Sequence, residues 1–298
     1  MTLLRCATHT VSNVAEVAER YARWLDYAVV EQGVVSEDLA ALWQAPASAG
    51  KAYVLMRPAS GSDVFLRFVE GDAVPDYAPI RTYGWAAIEI CVTDVEAVNE
   101  RMLASPDFEV IGPPKPLDGF PTVKPMQVRG PDLETVYLTE IRVNGAEHGL
   151  PTPHSLVDRP FILVLACSDL QASIDWVRDV LGFDMIDPVL IHYSMISLAF
   201  DLPEGEKVAL VTAKYEGETF LELDQYPQAA TARPQVEGAL PPGVSICTIN
   251  VPDFARLEGH WAVRPEVREG PLYNGAKVGL LRMPDGALLE VIEGGRVL

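Results

Sequence analysis

With 298 residues, 49% of them hydrophobic and 8% aromatic, the chain is long and apolar enough for two domain cores, which excludes a disordered protein. A formal net charge of −19 repels phosphate backbones and anionic lipid, so nucleic acid and membranes are excluded as partners and small-molecule ligands remain. No apolar run is long enough to span a bilayer, Met1 is followed by no secretory leader, and the four cysteines form neither a disulfide framework nor a zinc spacing, a pattern that suits a reducing cytoplasm.

The first extended run, residues 6–11, ends at Ser12-Asn13-Val14, where Asn13 is placed to cap a helix over 14–25. Asp26-Tyr27-Ala-Val-Val and the runs 52–57 and 64–69 follow as strands, and 71–82 reads as a linker. A second unit begins with 85–92, is capped at Thr93-Asp94-Val95 and closes with a strand over 136–143. The third runs from 161–167 through Ser168-Asp169-Leu170 into a helix that Gly182 stops before Phe183-Asp-Met-Ile. Strands are expected over 193–200, 208–212 and 219–223, then a linker over 226–243. The fourth unit has 244–251, a cap at Pro252-Asp253-Phe254 with a short helical region, and strands over 278–282 and 287–292. Four capping marks about 75 to 84 residues apart are an internal repeat of β-α-β-β-β units.

The Gly/Pro-containing stretch 144–160 divides the chain into a first domain, 1–143, with units 1–70 and 83–143, and a second, 161–298, with units 161–226 and 243–298. Cys6, Cys91, Cys167 and Cys247 recur on the opening strands and read as buried small residues.

Four such units with a Ser/Asp-type cap before an aromatic…Leu-Gly helix resemble the vicinal oxygen chelate superfamily, the fold of glyoxalase I, bleomycin-resistance proteins and extradiol dioxygenases. Leu181-Gly182-Phe183 and Met283-Pro-Asp-Gly-Ala-Leu-Leu-Glu290 are the most specific parts of the resemblance. It implies an α+β fold in which four βαβββ modules form two cupped mixed sheets flanked by helices. It also implies, in metal-dependent members, ligands at the start of first strands and a Glu on last strands. Counting seven residues back from each cap gives Cys6, Ala87, Ile162 and Ile246, so a standard iron or zinc site is not supported. Among last-strand positions Glu290 is the close match and Glu222 is offset by one; the first domain offers Phe65 or Arg67 and Tyr137. Any metal or other cofactor stays open.

Without a metal, such a cup can work through carboxylate, imidazole and phenol groups whose pKa values burial shifts. The catalytic set is Glu290, Glu222, His192 and Tyr273, with His192 expected on a strand lining the second cup. Tyr193, Asn274, Lys277, Cys6, Glu89 and Tyr137 are the substrate-binding set, although Asn274-Gly275 also reads as a hairpin turn. Glu89 shares a strand face with Ala87 and needs Arg57 or Arg67 as partner unless it acts as a base; Thr8 lies beside Cys6 on the same face. His9 points away from the cup, and His148, His154 and His260 read as exposed. The proline-rich segment 111–121 reads as a plain connector, with a cavity edge as the other reading.

The expectation is an enzyme of small-molecule catabolism, of lyase, isomerase or decarboxylase type, acting on an oxygenated, partly hydrophobic or aromatic substrate, with its working cavity in the second domain. Two alternatives stand beside it: a sequestering protein of the antibiotic-resistance type and a dioxygenase with atypical ligands. A homodimer is left open.

Overall fold

The computed structural model describes residues 2–142 and 148–294, so part of the 144–160 linker lies outside the described residues. The first unit comprises β1 (Leu4–Val11), α1 (Val14–Leu25), β2 (Tyr27–Val34), a short α2 (Glu37–Leu42), β3 (Ala52–Pro58) and β4 (Phe65–Glu70). The second has β5 (Gly84–Val92), α3 (Val95–Leu103), β6 (Glu109–Gly112), β7 (Val123–Arg129) and β8 (Thr135–Ile141). In the third, β9 (Val157–Cys167) leads to α4 (Leu170–Trp176), β10 (Asp184–Met185), β11 (Val189–Ile191), α5 (Ser194–Phe200), β12 (Val208–Tyr215) and β13 (Glu218–Gln225). The fourth consists of β14 (Gly243–Val251), β15 (Val263–Val267), β16 (Lys277–Arg282) and β17 (Leu288–Glu293).

Three of the capping marks start helices. The Asn13 carboxamide accepts from the Ala15 and Glu16 amides, Asp94 accepts from Glu96 and Ala97, and Asp169 from Ala172. Truncating any one to Ala removes about 1 kcal/mol of helix stability. α4 continues through a π-helical turn, Val177–Leu181, and Gly182 closes it at φ +75°, as the Leu-Gly signal requires. At the fourth mark Asp253 also accepts a first-turn amide, from Ala255, but only a 3-10 turn, Ala255–Leu257, forms. Gly259 at φ +90° ends the segment before a second turn can close.

The sheet order decides where sites can exist. One sheet runs β15-β16-β17-β14-β1-β4-β3-β2 and the other β10-β12-β13-β9-β5-β8-β7-β6. The first unit therefore shares a sheet with the fourth, through antiparallel β1 and β14, and the second with the third, through β5 and β9. Each sheet thus takes one unit from either side of the 144–160 stretch, and the units adjacent in sequence touch on the convex side instead. There Ser12 Oγ and amide donate to Asp132, and Ser168 Oγ and amide donate to Asp285.

Strand alternation sorts the residues into three cores. Leu4, Ala7, Ile88, Ile90, Leu163 and Leu165 turn to the convex side and, with Val17, Tyr21, Leu25, Val98 and Met102 of the helices, make one core common to both sheets. Each fully buried side chain of this size contributes about 1.5–3 kcal/mol. The concave faces hold two separate clusters, around Cys6 and Ile246 in one sheet and around Ala87 and Ile162 in the other. Among the described residues no helix is long and apolar enough to cross a membrane.

The strand expected over 193–200 is a helix. Tyr193, Ile196 and Phe200 recur at helical spacing, and the Ser197 amide donates to the Tyr193 carbonyl at 2.9 Å. Only β11, just before it, is extended.

Candidate functional site

The cup of the first and fourth units is filled by its own side chains. β4 and β17 bring Arg67 and Glu290 together across β1 and β14, with Nη2 3.2 Å from Oε2, the two residues being 2% and 0% exposed. Arg67 Nε donates to Thr8 Oγ1 at 2.9 Å and Nη1 to the Tyr273 hydroxyl at 2.6 Å. Glu290 also accepts from Thr248 at 2.8 Å, Tyr273 at 2.9 Å and Trp43 Nε1 at 2.9 Å. The guanidinium lies 4.5 Å from the centroid of the Trp43 ring. Burial by itself would lower the Arg67 pKa, but Glu290 and Tyr273 outweigh it and hold the guanidinium above its ordinary value. Cys6, beneath this network, is buried, and burial pushes its thiol up to about 12, so it is no nucleophile at neutral pH.

The other cup is open. A cavity of about 670 Å³ lies over the sheet of the second and third units, with Glu89, Tyr137 and Glu222 on strands and Tyr193 beside them. Residues 111–113, 115–119 and Pro121 form one wall, with the Lys115 and Leu117 amides donating to Pro125 and Val123 at 3.0 and 2.9 Å, so the proline segment is a cavity edge and not a plain connector. α5 forms the opposite wall through Met195 and Leu198. Across the mouth the His192 amide donates to Asp118 Oδ2 at 3.4 Å.

Within this cavity Glu89 accepts from the Thr139 hydroxyl. Tyr193 donates to Glu222 Oε1 at 3.0 Å, and its oxygen lies 3.3 Å from that of Tyr137. Asp224 follows two residues after Glu222 on the same strand face; it is 1% exposed, has no cationic partner, and lies against Glu222 and Tyr193, with which it interacts directly. Burial, then the charge of Glu222, push the Glu89 pKa up to about 8, against the lowering pull of Thr139. Burial raises Glu222 as well, partly offset by Tyr193 and Asp224, and Asp224 is held well above its ordinary value by burial and then by Glu222 and Glu89. At neutral pH the cluster therefore retains protons.

The expected site residues fall into three groups. Glu222, Tyr193, Glu89 and Tyr137 meet in the open cup, drawn from both sides of the 144–160 stretch and not from the second domain alone. Glu290, Tyr273 and Cys6 are sealed in the other sheet and cannot join Glu222. His192 is exposed at the entry to α5, Asn274 sits on an exposed turn at φ +52° before Gly275 at φ +75°, and Lys277 is exposed beside Glu293. Glu89 meets neither arginine: Arg67 belongs to Glu290, and Arg57 is exposed on β3 of the other sheet. His9 is buried on the convex side as its strand parity requires, and burial lowers its pKa to about 4.

The count of seven residues identifies the right strand face but stops one pleat short of the polar positions. Register pairs Thr8 with Arg67 and Thr248 with Glu290 in one cup, and Glu89 with Tyr137 and Val164 with Glu222 in the other. Asp224, Thr139 and Trp43 are site residues that the sequence pattern does not single out. Alternation in Glu222-Leu-Asp224 carries a signal for Asp224, whereas nothing local marks Trp43.

The metal ions that the resemblance implies do not fit these residues. Of the three acids of the open cup, Glu89 and Glu222 each already accept a hydroxyl hydrogen bond and Asp224 is buried against Glu222, and among the described residues no imidazole lines the cup from a strand position. Among the described residues no group of three His, Cys, Asp or Glu side chains is arranged to hold a metal ion.

Residues 160–291 match the family model of the Glyoxalase/Bleomycin resistance protein/Dioxygenase superfamily. The fold is similar to that of glyoxalase I from Zea mays, at TM-score 0.62 and 15% identity over 98% of this chain and 92% of that one. A Bacillus subtilis protein provisionally named a dioxygenase is also similar, at TM-score 0.62 and 14% identity over 99% of this chain and 86% of that one. None of the curated proteins matches by sequence.

Proposed function

We propose, for a chain whose residues 160–291 match the model of the Glyoxalase/Bleomycin resistance protein/Dioxygenase superfamily, that the cup of the second and third units is the working site of a small-molecule enzyme. Its Glu89–Glu222 pair moves a proton in a lyase- or isomerase-type reaction on an oxygenated, partly apolar substrate. One observation carries this reading: two carboxyl groups with raised pKa values face a cavity of about 670 Å³. Two acids sharing a buried site do not both ionise near neutral pH, so one is available as general base while the other, still protonated, donates. The ionised partner takes a proton from carbon next to a carbonyl group, and the bonding pair moves onto the carbonyl oxygen as an enolate. The Tyr193 hydroxyl, 3.0 Å from Glu222, supports whichever oxygen gains charge. Leu117, Met195 and Leu198 give the substrate's apolar part a place and exclude water.

Deuterium exchange tests the reading whatever the product is. The protein is incubated in D2O with a panel of α-hydroxy ketones, β-hydroxy acids and aryl-substituted analogues, and NMR follows loss of the C–H signal. Exchange that disappears in Glu89→Gln and Glu222→Gln is the expected result; binding in this cavity without exchange of any panel member sinks the catalytic reading. That second outcome is the sequestering protein, which the ties of Glu89 to Thr139 and Glu222 to Tyr193 already favour to some degree, because both acids have partners within the fold.

A further inference from the structure

We infer that the ligand of this cavity carries an organic cation, a protonated amine or quaternary ammonium group seated beside Glu89 and Glu222; the inference rests on the reading that this cup is the working site. The first argument is charge. Glu89 and Glu222 line the cavity with the buried Asp224 against Glu222, and no basic side chain forms an ion pair with any of them among the described residues, whereas Glu290 in the matching cup has Arg67. The second is Asp224 itself, 1% exposed, with no cationic partner and only the acidic Glu222 and the Tyr193 hydroxyl beside it, an arrangement that costs several kcal/mol unless the group stays protonated or a cation comes close. The third is that Tyr137 and Tyr193 line the same cavity, aromatic rings of the kind that attract a desolvated ammonium.

Every group facing the acids agrees in sign. β5 supplies Glu89, β8 Tyr137 and Thr139, β13 Glu222 and Asp224, and the segment after β13 Tyr226, all acidic or neutral. Tyr193 stands at the entry to α5, and only the outer rim adds Lys115 and His192, with Asp118 opposing them. A cation arriving here displaces a proton that the carboxyl cluster would otherwise keep, since it stabilises only the ionised form. Binding is therefore coupled to proton release, and affinity rises with pH through about 8 and levels off above it, once Glu89 is ionised without the ligand.

Isothermal titration of the full chain with benzyltrimethylammonium, benzyl alcohol and benzoate tests this, in buffers of different ionisation enthalpy so that released protons are counted. The ammonium is expected to bind at least 10-fold tighter than the neutral alcohol, with benzoate weakest. It should release up to one proton near pH 7 and gain up to about 10-fold in affinity per pH unit between 6 and 8. Glu222→Gln should weaken it at least 10-fold with an unchanged melting temperature; Asp224→Asn is the second variant should the first fail to fold. No ammonium binding at millimolar concentration, a pH-independent affinity, equal binding of all three probes, or full affinity in Glu222→Gln each overturns the inference. So does stoichiometric Mn2+ or Zn2+ binding that competes with the ammonium and is lost in Glu222→Gln, because the cation would then be a metal. Leu198→Trp, which narrows the cavity, separates the two failures. If benzyl alcohol or benzoate is blocked by it, the cup remains the site and only the cation falls; if it blocks no probe and no exchange substrate, both readings fall.

Discussion

In the sheet of the first and fourth units, the carboxylate of Glu290 has Arg67 as counter-charge and three further donors, Thr248, Tyr273 and Trp43. In the sheet of the second and third units, Glu222 stands at the corresponding place with the Tyr193 hydroxyl as donor and Glu89 and Asp224 as neighbours. The covers correspond too. Trp43 comes from the segment between β2 and β3, as Tyr193 comes from the segment between β10 and β12; Tyr273 comes from the loop between β15 and β16, as the proline segment comes from that between β6 and β7. Two aromatics fill one cup, whereas the proline segment of the other offers Leu117 at its wall and leaves space. Two cups of the same topology thus diverge through a few side chains: a guanidinium and an indole convert an acidic pocket into a core, and their absence leaves a pocket that must find its positive charge or its protons elsewhere.

The comparison breaks most visibly at Arg67. Arg67→Ala leaves Glu290 buried without a counter-charge and should cost about 3–5 kcal/mol in denaturant unfolding, with ligand binding by the folded fraction retained. A loss below about 1 kcal/mol would show that the first cup is not held by its ion pair. In the open cup the expected effect is on chemistry: Glu89→Gln should lower turnover by roughly 10³-fold, equivalent to about 4 kcal/mol, with no loss of unfolding free energy at neutral pH. Equal losses of activity from Glu89→Gln and Arg67→Ala in folded protein would erase the distinction.

Stability against pH sharpens it further. The native state holds the Glu89 proton up to about pH 8, while the unfolded chain releases it near 4.5. Between these values the native state binds more protons, so stability should fall as pH rises, by at most about 1.4 kcal/mol per unit, and level off above 8. Glu89→Gln should flatten that slope, and Glu290→Gln should leave it in place. The smallest effect is expected at Lys277, whose exposed pair with Glu293 at 3.3 Å is worth about 0–1 kcal/mol; Lys277→Ala should leave ligand affinity unchanged, as a rim charge outside the open cup must.

The units themselves are legible in the sequence because their signals are local. A capping Asn or Asp, a Leu-Gly helix end and apolar alternation each act within a few residues, and Asn13, Asp94, Asp169 and Gly182 all behave as their positions dictate. The pairing of units is not, since any of the four opening strands offers a similar edge and the choice of β1 with β14 depends on contacts some 240 residues apart, such as Leu4 with Ile249. The site suffers from the same separation. Glu222 and Glu89 stand out on their own strands, but the arginine that answers Glu290 lies 223 residues before it, and nothing within β17 shows that Glu290 is already taken. Residues 193–200 read as a strand because a short run with Tyr193, Met195 and Ile196 satisfies both periods, and packing against the cup decides for the helix.

Pairing the first unit with the fourth also sets a timetable for synthesis. Strand β1 leaves the ribosome long before β14, and at roughly 5–20 residues per second the gap is on the order of 10–50 s. Through that interval the edge of β1 and the apolar face destined for Ile246 and Leu280 wait without their partner, while β9 reaches β5 after a much shorter delay. The sheet with the open cup is thus positioned to assemble first and the filled one to close over the finished chain. A stall or truncation after the third unit would leave the first as an unpaired edge, the kind of surface that chaperones bind and that aggregates in their absence.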